Sequence, residues 1–90
     1  MPRLEAHVHG LVQGVFFRHF TQLTAQRLGI AGNVSNQPDG TVRVVADGAQ
    51  EKLDALLEWL RHGPELALVE QVDVKWYPSQ FTNTDFSILR

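Results

Sequence analysis

The sequence predicts an α+β fold, a two-layer sandwich in which two helices cover one face of an antiparallel sheet. Four segments alternate apolar and polar residues with the period of a strand, and two other segments repeat apolar residues at helical spacing. Their order along the chain is β-α-β-β-α-β, and the last residues can form a further short strand. A chain of 90 residues holds one hydrophobic core, so we expect a single domain over residues 1–90.

The first predicted strand runs from Leu4 to Val12, with small apolar residues on one face and polar residues on the other. The chain then bends at Gln13 and Gly14. The first helix follows this bend and stops at Gly29, a residue suited to a helix C-terminus. Its predicted apolar stripe consists of Phe16, Phe20, Leu23 and Leu28.

The middle of the chain predicts a hairpin. "IAGNVSN" is the second strand, "QPDG" has the residues of a tight turn, and "TVRVVAD" is the third strand. The residues of the third strand that face inward are Val42, Val44 and Ala46.

The second predicted helix has leucines at i, i+3, i+4 and i+7 and ends at Gly63-Pro64. Those residues are Leu53, Leu56, Leu57 and Leu60. "LVEQVDVKWY" is a fourth strand, and residues 82–89 form the short last one. The apolar face of the fourth strand consists of Val72, Val74 and Trp76.

Together these elements predict the ferredoxin-like βαββαβ sandwich. In that topology a right-handed helical crossover joins the first two strands, which run in the same direction. Their C-terminal ends therefore emerge at the same edge of the sheet. We expect the bend at 13–18 and Asn36, which ends the second strand, to converge there.

Composition limits the function. The chain has no cysteine, which excludes disulfides and thiolate chemistry, and its net charge of −2 argues against nucleic acid or anionic lipid as a partner. No apolar run approaches the ~20 residues that a membrane span needs, and the N-terminus lacks the apolar core of a signal peptide. We expect a cytoplasmic protein with no membrane partner.

The bend "GLVQGVFFR" has the residues of an anion site. Gly10 and Gly14 indicate that the backbone bends or approaches something closely there. A loop entering a helix exposes unpartnered N–H groups, and those of Val15, Phe16, Phe17 and Arg18 can curl inward as a nest. The Arg18 guanidinium adds a planar fork that matches two phosphate oxygens. The alternative is a bulge, an ordinary loop and a solvated arginine.

The same stretch resembles the first signature of the acylphosphatase family, G-x-V-Q-G-V-x-[FY]-R, at every specified position. "GNVSNQPDGTVRVVADG" resembles the second signature, and "FSI" resembles the end of the family's chains. Asn33 and Ser35 depart from the second signature, where an aromatic and a longer, often basic residue are usual. The spacing to Gly40 and Gly48 selects Asn36, rather than Asn33, as the signature asparagine.

The resemblance implies hydrolysis of small-molecule acyl phosphates to carboxylate and inorganic phosphate, with no metal, no cofactor and no covalent phosphoenzyme. It implies that Arg18 and Asn36 are catalytic, with Asn36 orienting the attacking water. The resemblance also favours a monomer and makes inorganic phosphate or sulfate a ligand of the site. The residues that it assigns to phosphate binding are Gln13, Gly14, Val15, Phe16, Phe17 and Arg18.

Other residues invite competing interpretations. His19 is a candidate general base, but we expect it to face solvent or to pack locally. The strand pair His7 and His9 could bind a transition metal, although an inert surface pair is the simpler expectation. Aromatic side chains are expected to support the core or the loop rather than to stack on bases. These are Phe16, Phe17, Phe20, Trp59 and Trp76.

A second class of function is a binding module on the same sandwich, such as an RNA-recognition or small-ligand regulatory domain, since this fold hosts many functions. An RNA reader would need outward aromatics on its central strands. The outward positions here are polar or charged: Glu5, His7, His9, Arg43 and Asp73. A variant of this alternative retains anion binding without turnover.

Overall fold

The computed structural model of the protein describes residues 2–78 and 85–89. Its elements follow the predicted order, with the last strand beginning at Phe86 and residues 82–84 of the predicted strand lying outside the described ones. The elements are β1 (Pro2–Leu11), α1 (Phe17–Leu28), β2 (Ala31–Asn36), β3 (Val42–Asp47), α2 (Gln50–His62), β4 (Leu68–Pro78) and β5 (Phe86–Leu89).

The sheet order is β4-β1-β3-β2-β5, which confirms the ferredoxin-like sandwich. Strands β1 to β4 pair antiparallel, as predicted, whereas β5 pairs parallel to β2 and makes the sheet mixed. The reason is directional: β4 runs against β1, and β1 runs with β2, so a strand that reverses β4 must run with β2. No helix within residues 2–78 and 85–89 is long and apolar enough to cross a bilayer.

The core lies between the sheet and the two helices. The predicted inward residues of β1, β3 and α2 are buried, apart from Leu57, which is half-buried. The fully buried ones are Leu4, Ala6, Val8, Val42, Val44, Ala46, Leu53, Leu56 and Leu60. The alternation in the strands and the leucine spacing in α2 were therefore correct predictors of the core.

The prediction for the buried face of α1 was wrong. The helix buries Phe17, Thr21 and Ala25, whereas the side chains of Phe16 and Phe20 are 69% and 42% exposed. A threonine can occupy the core here because its hydroxyl donates a hydrogen bond to the Phe17 carbonyl at 2.8 Å. The buried face therefore lies one residue away from the predicted one.

The tryptophans differ in burial. Trp59 of α2 is half-buried and packs against Phe17 with ring centroids 5.7 Å apart, as a core-edge anchor should. The prediction of a core or core-edge position for Trp76 was wrong, because its side chain is exposed on β4. That strand forms an edge of the sheet, so only one neighbouring strand flanks its side chains.

The glycines around the bend have different roles. Gly10 lies at a bulge between β1 and β4, where a Cβ atom would overlap the Leu68 carbonyl oxygen. Gly14 has open space around it but adopts φ 76°, a left-handed conformation that favours glycine. The close backbone approach expected at this stretch is that of Gly10 to the neighbouring strand β4. Gly14 provides the turn.

The corrected face of α1 can be tested by two truncations. We expect Phe17→Ala to lower the free energy of unfolding by about 3–5 kcal/mol because it leaves a cavity in the core. Phe20→Ala should cost less than about 1 kcal/mol because its ring is partly exposed. Urea unfolding measures both. Equal losses would contradict this assignment of the buried face.

Candidate active site

A cavity of about 310 Å³ opens at the edge of the sheet where β1 and β2 end. As the topology predicts, residues of the β1–α1 loop and the end of β2 meet there. The predicted site residues that line it are Gly14, Phe16, Phe17, Arg18 and Asn36, joined by Val12, His19 and Ile88. Gln13 and Val15 do not line this cavity.

The loop reaches the cavity in a strained conformation. Phe16 has φ 61° and ψ 23° and is the only described non-glycine residue with positive φ among residues 2–78 and 85–89. A non-glycine residue in this region costs on the order of 1–3 kcal/mol and persists only where its surroundings enforce it. Together with Gly14 it supplies two left-handed residues in one short loop, a geometry that turns neighbouring N–H groups toward one side.

The N-terminus of α1 is open to an anion. Its first intrahelical hydrogen bond runs from the Phe20 N–H to the Phe16 carbonyl at 3.1 Å. The N–H groups of Phe17, Arg18 and His19 come before this bond and so have no acceptor within the helix. Phe16 occupies the N-cap position and makes no side-chain capping bond, and the first turn holds no acidic residue. These N–H groups and the helix dipole favour negative charge at this end.

Arg18 extends from this first turn beside β5. Its Nη1 donates a hydrogen bond of 3.4 Å to the Leu89 carbonyl, and the side chain lines the cavity. The bond engages one nitrogen of a group with five N–H donors, so the guanidinium retains donors for a ligand. The last strand therefore helps to place the cation, a role that the sequence pattern did not indicate.

Asn36 ends β2 just before a tight turn. The Gln37 N–H donates to the Thr41 carbonyl at 2.8 Å, which closes the turn. Both the N–H and the hydroxyl of Thr41 donate to Asp39 Oδ1, at 3.0 and 2.6 Å, and these bonds hold the pKa of the Asp39 carboxyl below its ordinary value. A well-bonded turn thus fixes the backbone that carries Asn36.

The Gln13 side chain joins the two halves of the site. Its Nε2 donates to the carbonyl oxygens of Gln37 and Thr41 at 2.8 and 2.9 Å. The carboxamide therefore connects the β1–α1 loop to the turn that follows Asn36. The prediction that Gln13 binds phosphate concerned its main-chain amide, and the side chain has this separate connecting role.

The histidines fall into two groups. His19 is exposed, lines the cavity and makes an edge contact with the Phe20 ring at 5.2 Å between centroids. On β1, His9 Nε2 lies 2.8 Å from Asp73 Oδ2. Hydrogen bonds from Gln71 and His9 lower the pKa of Asp73. In the part of the chain that the structure describes, no three His, Asp or Glu side chains are grouped to hold a metal ion.

Comparison with known proteins identifies the family of this chain. The family model described as Acylphosphatase matches residues 4–88. An acylphosphatase of Methanococcoides burtonii is 50% identical over 86 residues, covering 96% of this chain and 90% of the relative. An acylphosphatase of Thermus thermophilus is 53% identical over 76 residues, covering 84% of this chain and 86% of the relative. The crystal structure of the Bacillus subtilis acylphosphatase superposes with a TM-score of 0.96 at 33% identity, covering 100% of both chains.

The Gln13 connection predicts a measurable effect. We expect Gln13→Ala to lower the free energy of unfolding by about 1–2 kcal/mol, because two hydrogen bonds are lost. It should also weaken binding of inorganic phosphate, because the loop is released from the turn. Thermal unfolding and calorimetric titration with phosphate measure these effects. Gln26→Ala, on the exposed side of α1, is the matched control and should change neither. Unchanged stability and affinity in Gln13→Ala would contradict the role of this side chain.

Proposed function

The chain belongs to the acylphosphatase family and is an acyl phosphate hydrolase, and on this premise we propose that Arg18 and the loop amides bind the phosphoryl group while Asn36 orients the attacking water. The observation that carries the proposal is the convergence of Arg18, the open N-terminus of α1 and Asn36 on one cavity. Family membership favours the hydrolase over an unrelated binding module on the same fold, and turnover of an acyl phosphate distinguishes it from a family member that only binds anions.

The reaction makes modest chemical demands on the protein. A water oxygen forms a bond to phosphorus as the bond from phosphorus to the acyl oxygen breaks, and the electron pair of that bond leaves with the carboxylate. A carboxylate has a pKa near ~4, so the leaving group needs no general acid. What remains is to hold the phosphoryl group, stabilise its charge and place the water in line.

The phosphoryl oxygens are bound by two kinds of donor. The N–H groups at the start of α1 act as fixed dipoles that need no reorganisation when charge develops. Arg18 adds a planar cation whose geometry suits two oxygens at once. Of the residues assigned to phosphate binding, Gly14, Phe16, Phe17 and Arg18 line the cavity, and Gln13 supports them from outside it.

The attacking water is placed by the Asn36 carboxamide. A carboxamide both accepts and donates hydrogen bonds, so it can orient a water toward phosphorus without removing its proton beforehand. Asn36 is exposed at the end of β2 and lines the cavity, so water has access to its side chain. Its backbone is held by the Gln37–Thr41 turn.

Arg18 gives the direct test of the phosphate site. We expect Arg18→Ala to lower kcat/KM for benzoyl phosphate, assayed by phosphate release in the presence of EDTA, by about 100-fold or more. Arg18→Lys should recover only part of this loss because an ammonium group lacks the planar fork. Arg61→Ala, exposed near the end of α2 and outside the lining of this cavity, is the control and should retain full activity on benzoyl phosphate. A loss of less than about 2-fold in Arg18→Ala would contradict the assignment, and phosphate binding without turnover in the unmodified protein would indicate a binding domain.

Asn36 is tested by separating binding from turnover. We expect Asn36→Ala to lower kcat by about 100-fold with little change in the inhibition constant of inorganic phosphate, because the side chain contacts water rather than the phosphoryl group. Asn33→Ala, on the same strand, is the matched control and should retain kcat. A variant at Asn36 that loses phosphate binding and keeps its kcat would show that this residue binds the anion instead.

A further inference from the structure

A second cavity, of about 530 Å³, adjoins the phosphate cavity. We call it the side cavity; it lies between α1 and the segment 64–66 that follows α2, and most of its lining is apolar. Its apolar lining includes Val15, Phe16, Phe20, Leu23, Trp59 and Leu66. Phe16 lines both cavities, so the two lie next to each other at this side chain.

The side cavity presents apolar surface to water. The side chains of Phe16 and Leu66 are 69% and 68% exposed, and that of Phe20 is 42% exposed. Scattered apolar residues are ordinary on protein surfaces, but several around one concavity form a patch that typically marks a binding site. Phe16 is in addition held in a strained backbone conformation, and its ring stays outside the core. The family signature leaves its position open, so family membership does not account for an aromatic residue there.

The side cavity and Asn36 border the phosphate cavity at different elements of the fold. Helix α1 packs over β2 and β5, and α2 packs over β1 and β4. Asn36 lies at the end of β2, whereas the side cavity lies where α1 faces α2 and the segment after it. Asn36 lines the phosphate cavity and not the side cavity, whereas Phe16 lines both.

In-line displacement determines the side of phosphorus from which the acyl group leaves. The attacking and leaving oxygens lie on opposite sides of phosphorus. If Asn36 places the water, the acyl oxygen leaves on the side of phosphorus away from Asn36, and Phe16 is the residue that links the phosphate cavity to an apolar space that Asn36 does not line. The carbon skeleton of the substrate then extends along the Phe16 ring into the side cavity.

We propose that the side cavity binds the acyl group of the substrate, and that the chain selects acyl phosphates with aromatic or branched apolar acyl groups over acetyl phosphate. This inference rests on the proposed roles of Arg18 and Asn36. Binding energy from a part of the substrate that does not react serves to position the reacting phosphorus. Phe20 and Leu66 are the specificity residues, and they contact the acyl group only.

The test compares two substrates in matched variants. Leu66→Ser and Phe20→Ala each remove one apolar wall of the side cavity. Leu68→Ser is the control, because Leu68 is also a strongly exposed leucine, at 63%, but does not line the cavity. For each protein, kcat/KM is measured with benzoyl phosphate and with acetyl phosphate, together with the inhibition constant of inorganic phosphate and the unfolding temperature.

We expect the ratio of benzoyl to acetyl kcat/KM to fall by about 5-fold or more in Leu66→Ser and in Phe20→Ala, since apolar contacts of this size discriminate by about one order of magnitude. The inhibition constant of phosphate should stay the same, and Leu68→Ser should keep the ratio of the unmodified protein. Ratios within about 2-fold in both cavity variants overturn the acyl-group site and leave the phosphate site intact. The phosphate site fails separately if Arg18→Ala retains its activity.

Discussion

The carboxamide of Gln13 makes two hydrogen bonds that connect the two loops of the candidate site. The β1–α1 loop and the turn after β2 are both short connections, and neither is part of the sheet's own hydrogen-bond ladder. By donating to the carbonyl oxygens of Gln37 and Thr41, Gln13 sets the distance between the two connections. Arg18 lies on one side of this link and Asn36 on the other. The proposed site acts mainly by positioning the phosphoryl group and the water. It can therefore depend on a side chain that need not touch the substrate.

The loop is held against its own strain by the residues that follow it. Phe16 adopts a left-handed backbone, which costs on the order of 1–3 kcal/mol. The next residue, Phe17, is fully buried against Trp59, and burying such a ring stabilises the fold by about 1.5–3 kcal/mol. Adjacent phenylalanines thus have opposite roles. The buried ring fixes where α1 begins, and the strained residue turns its ring outward and leaves the helix N-terminus without a capping side chain.

Sequence patterns correctly predicted the features that a single repeat of apolar residues determines. The alternation in β1 and β3 and the leucine spacing of α2 each allow only one buried face. The topology then brings Arg18 and Asn36 to one edge of the sheet. The face of α1 could not be predicted in this way, because apolar residues occur on more than one side and the buried Thr21 is polar. The partners of Gln13 lie more than twenty residues away, so no local pattern indicates them. The same holds for the Leu89 carbonyl beside Arg18.

The chain is acidic overall, but the electrostatic potential at the start of α1 is positive. This local difference is how an acidic chain can bind an anion. The chain carries −2 overall. Carboxylates of β1 and β3 are paired on the sheet face away from the helices: Asp47 binds Arg3 through both oxygens, and Glu5 binds Arg43. At physiological ionic strength charges more than ~8 Å apart are strongly screened, so distant carboxylates weaken the site little. In the proposed site the helix N-terminus and the Arg18 guanidinium both border the cavity, so their local positive charge favours an anion there despite the net charge of the chain.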